Sequence, residues 1–373
     1  MKRGLLGLLL VLTLSGCVRA LHHLAQQHKQ GKSAPGEVVN GDTPVPQEVR
    51  TQLEALVKGG VPGVTAIVMR DGRLLYRLDV GRIDADTRYP VASASKWMTA
   101  ALLMTVVDEG KLSLDEPVSK HLPMFQGTPG EITLRQLLAQ TSGEGSLKDL
   151  VDIRQDPRIT LAASAAEIAA RPLQDPPGQV FKYGGPGFQV AGALAEAVTG
   201  QRWSELFAQR IAQPLGMTHT VWKHLPDRGV PPEQTLNPLL QGGVVTSAGD
   251  YMKFLGMLAR GGTVDGRRIL STQAVEAMET AQTLGKPMAY LPPGGVPGTA
   301  YALGNWCETW NADRRCTMVS SPGAFGTFPW IDRGSGLYGI FFLRDRFPNV
   351  SAQLLKARAA IIAATPPVPA SAP

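Results

Sequence analysis

Residues 97–107 are apolar on every face, the pattern of a helix buried inside a core and not lying on one. Gly110 follows as a C-terminal stop. Helical periodicity also predicts helices over residues 47–58, with Pro46 leading in, 132–138, 161–171 and 188–199, the last stopped by Gly200. Others follow at 203–212, stopped by Pro214, and at 250–260, 272–283 and 350–363. Strand patterns lie near the two ends. Residues 64–69 and 74–80 form a hairpin across Asp71-Gly72, and strands return at 317–320, 326–331 and 337–343. Residues 157–224 read as largely helical. The economical fold class is α/β (α+β): one antiparallel sheet built from both chain ends, flanked by helices, with a mostly helical insertion at about 112–240.

Length and composition fit that picture without narrowing it. The chain has 373 residues, 43% of them hydrophobic, enough for one large domain or two, and its 41 Gly and 29 Pro imply many turns. The first residues are more specific. Met1-Lys2-Arg3 is basic and residues 4–14 are apolar, a run too short to span a bilayer. It ends in Leu14-Ser15-Gly16-Cys17, which resembles the bacterial lipobox. That resemblance implies a signal peptide over 1–16 and a lipidated Cys17 as the first mature residue. Val18 in place of Asp implies the outer membrane, with the protein facing the periplasm. Residues 17–46 are polar and read as a tether, 47–365 as the folded domain, and 366–373 as a Pro-rich tail.

The net charge is +6, and about +4 once Lys2 and Arg3 leave with the signal peptide. No basic run or basic-aromatic stripe is present, so nucleic acid is not an expected partner. The spacing of His22, His23 and His28 matches no metal site, and no metal or other cofactor is expected. With Cys17 lipidated, Cys307 and Cys316 remain, nine residues apart in an oxidising compartment. A disulfide closing a loop is the expectation; two separately buried thiols are the alternative.

Candidate chemistry begins at Ser93-Ala94-Ser95-Lys96, the chain's only Ser-x-x-Lys, at the opening of the apolar helix. At i, i+3 the hydroxyl and the amine share a helix face, beside backbone N–H groups that favour developing negative charge. A helix cap followed by a surface lysine would give the same spelling. No Gly-x-Ser-x-Gly occurs, and none of the six His sits where a catalytic base is expected.

What surrounds the motif separates these readings. Residues 108–115 (DEGKLSLD), 132–143 (ITLRQLLAQTSG), 176–183 (PPGQVFKY), 214–220 (PLGMTHT) and 242–250 (GGVVTSAGD) follow in order. This order resembles the serine β-lactamase and penicillin-binding protein superfamily, in its class C β-lactamase-like esterase and D-peptidase branch. The resemblance implies that Ser93 is acylated, with Lys96 and Tyr183 handling its proton. Lys96 acts as a base only if a substantial fraction is neutral. The register that sets Ser321-Pro322-Gly323 on the family's third motif makes Ser93 N–H and Ala324 N–H the oxyanion donors, with Gly323 allowing close approach of substrate.

Three positions depart from the family pattern. Gln140 replaces the usual His, Gly185 the usual Asn, and Ser321 the cation that receives a substrate carboxylate. Gly185, Ser321 and Gly323 are expected to border the substrate. The departures point to an esterase or D-peptidase acting on a small-molecule or peptide acyl substrate more than to an efficient β-lactamase. They also leave open a non-catalytic relative that binds peptidoglycan fragments or a protein partner. Nothing in the sequence fixes an oligomeric state.

The lipobox reading makes a direct prediction. The protein should fractionate with membranes and need detergent for extraction, and Cys17→Ser should release it or stall its processing. A processed Cys17→Ser protein that stays with membranes contradicts lipid anchoring.

Overall fold

Both ends of the chain build one sheet. The computed structural model describes residues 37–39, 41, 43–145, 156–225, 227–295 and 298–365. The signal peptide, Cys17, most of the tether and the Pro-rich tail lie outside the described residues. The N-terminal side supplies β1 (Glu37–Val39), α1 (Gln47–Lys58), β2 (Gly63–Arg70), β3 (Arg73–Gly81) and β4 (Arg88–Pro90). Next come α2 (Ser95–Asp108), α3 (Leu134–Leu138), α4 (Leu161–Ala169), β5 (Phe181–Lys182), α5 (Gly187–Thr199) and α6 (203–215). Then follow β6 (Val221–Trp222), β7 (Val244–Ser247), α7 (Ala248–Ala259), the hairpin β8 (Thr263–Val264) and β9 (Arg267–Arg268), and α8 (Thr272–Met278). The C-terminal side supplies β10 (Met288–Tyr290), β11 (Ala300–Tyr301), β12 (Trp306–Trp310), β13 (Cys316–Ser320), β14 (Phe328–Asp332), β15 (Leu337–Leu343) and α9 (Phe347–Ala364).

The eight-stranded sheet runs β1-β3-β2-β15-β14-β13-β12-β11, with antiparallel neighbours throughout. The central strands are buried on both faces, and period-2 alternation divides their side chains between two cores. Val64, Ala66 and Val68 of β2, with Phe341 and Leu343 of β15, pack under α1 and α9. Ile67 of β2 and Tyr338, Ile340 and Phe342 of β15 face the larger core that holds α2. Every α2 residue from Ser95 to Thr105 is buried, together with Val106. At roughly 1.5–3 kcal/mol for each large apolar side chain buried, this helix is fixed by packing and not by its own propensity.

Four departures from the sequence reading have local physical causes. Glu37–Val39, inside the expected tether, pairs antiparallel with β3 and covers what would be an open edge. Pro214 does not stop α6, which continues to Leu215 and ends at a left-handed Gly216. Residues Ala208–Ala212 form a π turn just before the proline, and the wider turn accommodates a residue with no N–H to donate. Helix α8 stops at Met278, because Thr280 bridges Arg315 and Ala281 N–H donates to Arg314 O at 2.9 Å. The middle of the chain also holds strands, including the three-stranded sheet β4-β7-β6 and the parallel pair β10-β5. Cys307 and Cys316 are bonded across β12 and β13, with 5.3 Å between their Cα atoms. Among the described residues no helix is long and apolar enough to cross a membrane.

Candidate active site

Ser93 lies in a 3₁₀ turn, Ala92–Ala94, that runs directly into α2. Ala92 takes φ +46°, a left-handed conformation unusual for a residue with a Cβ, so the turn before the serine is held against local preference. Three contacts hold it. The Ser95 hydroxyl donates to Ala92 O at 2.6 Å and accepts from Val244 N–H at 3.0 Å. The Tyr251 hydroxyl donates to Ala94 O at 2.7 Å.

Lys96 Nζ sits 3.1 Å from Ser93 Oγ and 2.8 Å from the Gln241 carbonyl. Its side chain is 2% exposed, while Ser93 is half-buried and reachable. The segment carrying Gln241 is pressed onto α2, and Thr99 donates to Leu240 O at 2.6 Å. A Cβ at Gly243 would lie 2.1 Å from the Lys223 carbonyl, so only glycine passes there. The Gln241 amide, oriented with Nε2 toward the Tyr183 loop, donates to Gly184 O at 2.9 Å and Gly185 O at 3.1 Å. One residue thus ties the lysine to that loop, and nothing local in Gly-Gly-Val-Val announced it.

Tyr183 follows β5, and its hydroxyl hydrogen-bonds Ser93. Burial pushes its pKa up to about 12, only partly offset by that bond, so the phenol stays protonated at neutral pH. Its ring lies 4.7 Å from Lys96 Nζ and stacks on Trp306 with centroids 5.4 Å apart. Gln140, at the position where His was expected, accepts from Gly184 N–H through Oε1 and from Lys182 N–H through its backbone carbonyl. It thereby positions the loop.

Pro322, Gly323 and Ala324 border the same pocket as Ser93 and Tyr183. The close approach at Gly323 is to protein backbone: a Cβ there would sit 2.0 Å from Val91 O. That packing brings the β13–β14 turn against the serine turn. Among the described residues no acceptor is recorded for Ala324 N–H, which leaves it available to a ligand. The Ser321 hydroxyl points toward Ser93 O at 3.4 Å, and Ser320 is the serine that borders the pocket. Gly185 does not border it either; the Gly145 carbonyl lies 2.8 Å from where a Cβ at 185 would be. A side chain at that position would need the Gly145 backbone to move.

The rest of the wall comes from residues whose sequence gave only a loop signal. Tyr290, Pro292, Pro293, Phe347 and Pro348 form an apolar lining, and Arg346 is the one charged residue among the described lining residues. Next to the Tyr183 loop lies a buried acid, Glu144. Its burial pushes the carboxyl up to about 7, against the Ser142 hydroxyl that donates to Oε2 at 2.9 Å, and Oε1 has no partner among the described residues.

The Beta-lactamase family model matches residues 47–364. The Staphylococcus aureus protein flp is 31% identical over 195 residues, covering 48% of this chain and 38% of that protein. Esterase EstB of Burkholderia gladioli is 31% identical over 191 residues, covering 44% of this chain and 48% of the esterase. The matched region is thus less than half the length of these curated relatives. A candidate beta-lactamase from Bacteroides dorei has a similar solved structure, with a TM-score of 0.70 and 32% identity over 82% of this chain and 98% of that one. A D-stereospecific amidohydrolase from Streptomyces sp. superimposes with a TM-score of 0.63 at 26% identity, over 84% and 98%.

Glu144 gives a pH prediction. Its folded pKa is raised above the unfolded value, so the contribution is present below about pH 4.3 and is lost as pH rises through about 7. Glu144→Gln keeps an acceptor for Ser142 and removes the ionisation. It should flatten the fall in stability across that window and add on the order of 1–3 kcal/mol at pH 8. Urea denaturation at several pH values measures this; identical pH profiles for the two proteins contradict it.

Proposed function

This chain belongs to the Beta-lactamase family, and we propose that it is a serine hydrolase forming an acyl-enzyme on Ser93, with small esters or amides as substrates. The observation that carries the reading is one hydroxyl, reachable from a pocket, flanked by a buried amine at 3.1 Å and by the Tyr183 phenol. In the proposed reaction Ser93 Oγ attacks the carbonyl carbon and its proton passes to neutral Lys96. A phenol with a pKa near 12 is scarcely ionised at neutral pH, which suits Tyr183 to give a proton to the leaving group. The carbonyl oxygen becomes an oxyanion facing the N–H groups of Ser93 and Ala324. As the carbon–leaving-group bond breaks, Tyr183 gives its proton to the departing oxygen or nitrogen, and Lys96 returns one to Tyr183. Water then hydrolyses the ester on Ser93 through the same groups, releasing the acid.

The non-catalytic reading rested on the altered second and third motifs. Gln241 weakens its basis, since the backbone carbonyl holds Lys96 although position 185 has no side chain. If Cys17 is a lipid anchor, the reaction takes place at the outer membrane, facing the periplasm.

Hydrolysis of p-nitrophenyl butyrate tests the assignment. Ser93→Ala should abolish turnover, and Lys96→Ala and Tyr183→Phe should each lower kcat/KM by about 10²–10⁴. Because the groups act as a unit, the double variant should lose far less than the product of the two single losses. Ser93→Ala protein with unchanged turnover removes the reading.

A further inference from the structure

The chain enters and leaves Tyr183 under different kinds of restraint. On the entry side the bonds run from main chain to main chain. Lys182 N–H donates to Gln140 O at 3.1 Å, and Tyr183 N–H donates to Tyr290 O at 3.0 Å. On the exit side stand Gly184 and Gly185, and Gly184 takes φ +83°. Two glycines in succession give the backbone wide freedom and supply no side chain of their own to hold it. Two glutamine side chains hold it instead. Gln140 Oε1 accepts from Gly184 N–H, and Gln241 Nε2 donates to Gly184 O at 2.9 Å and to Gly185 O at 3.1 Å. Gly184 is thus gripped at both of its polar groups, its N–H by an acceptor and its carbonyl by a donor.

Gln140 and Gln241 are 5% and 4% exposed, so these bonds form away from competing water. The root of Gln241 is fixed as well. Leu240 O accepts from Thr99 on α2, and Leu240 N–H donates at 2.7 Å to Gln189 Oε1 on α5, the helix into which the Tyr183 loop leads. Gln241 also presents its backbone carbonyl to Lys96 Nζ at 2.8 Å. Its main chain therefore bears on the lysine and its side chain on the loop of the phenol, and the length of one side chain sets the spacing between them. Gln241 is not among the described lining residues of the pocket, so it acts through the loop.

We propose that Gln241 is a positioning residue for Tyr183, its amide fixing the glycine pair so that the phenol stands where it can protonate the leaving group. This rests on the reading of Ser93 as the nucleophile and Tyr183 as the proton donor. The consequence is a dependence on the leaving group. An alkoxide needs a proton as its bond to carbon breaks, and a nitrophenolate needs one far less.

The test compares ethyl butyrate with p-nitrophenyl butyrate. Gln241→Met keeps the backbone carbonyl for Lys96 and a side chain of similar size, and removes both amide bonds. It should lower kcat/KM by about 100-fold for ethyl butyrate and by about tenfold for p-nitrophenyl butyrate. In a Tyr183→Phe background the same change should cost less than about twofold on p-nitrophenyl butyrate, because the group it positions is gone. Gln241→Glu keeps the shape and turns an acceptor toward the two carbonyls. It should show the same discrimination between esters at pH 8, and it carries the comparison if the Met variant does not fold, which urea denaturation reports. A loss equal for the two esters, or one undiminished in the Tyr183→Phe background, marks a general structural role and overturns the proposal, as do variants with wild-type kinetics. Wild-type protein that hydrolyses neither ester removes the serine hydrolase reading itself, and the role of Gln241 with it.

Discussion

A lysine amine in the interior is the constraint on which this structure depends. Removing an amine from water without acceptors costs several kcal/mol, so the fold has to bring oxygen atoms to it. Lys96 finds Ser93 Oγ in the turn that leads into its own helix and the Gln241 carbonyl from a segment 145 residues away. Holding that segment requires the Thr99 bond, the Ser95 bonds and a glycine at 243, and the same contacts set the turn that exposes Ser93. Satisfying the buried amine and preparing the serine are thus one structural task.

The sheet performs a second part of that task at a distance. β12 and β13 are joined by the Cys307–Cys316 bond and by cross-strand pairing of Trp306 with Ser320. Trp306 supports the Tyr183 ring from one side, and the turn after Ser320 carries Ala324 to the serine from the other. A bond roughly a strand's length from the reacting atoms therefore bears on both the phenol and the proposed oxyanion donor. The buried Glu144 adds a local cost near the same loop, an example of stability given up next to a site.

Residues with strong local signatures were legible in the sequence. The Asp71-Gly72 hairpin, the all-apolar α2 and the last sheet strands follow from periodicity alone. Ser93, Lys96 and Tyr183 followed from the order of motifs, and the structure brings them together. Gln241 beside Lys96 and Arg346 at the pocket were not legible, because long-range packing that spacing does not encode puts both there. Ser321 and Gly185 were placed at the substrate by analogy of position. The local geometry there depends on the side chains: a serine is short enough to turn onto Ser93 O, and a glycine leaves room that the Gly145 carbonyl takes. Pro214 and α8 show propensity overruled, in one case by a π turn and in the other by pairing with residues 314–315.

The central claim is that Ser93 is the atom that becomes acylated. Intact-protein mass spectrometry after treatment with a fluorophosphonate probe, followed by peptide mapping, tests it most directly. The account predicts a single stoichiometric phosphonyl adduct on the peptide containing Ser93, absent from Ser93→Ala protein. An adduct on another residue, or wild-type protein that is never labelled, contradicts it.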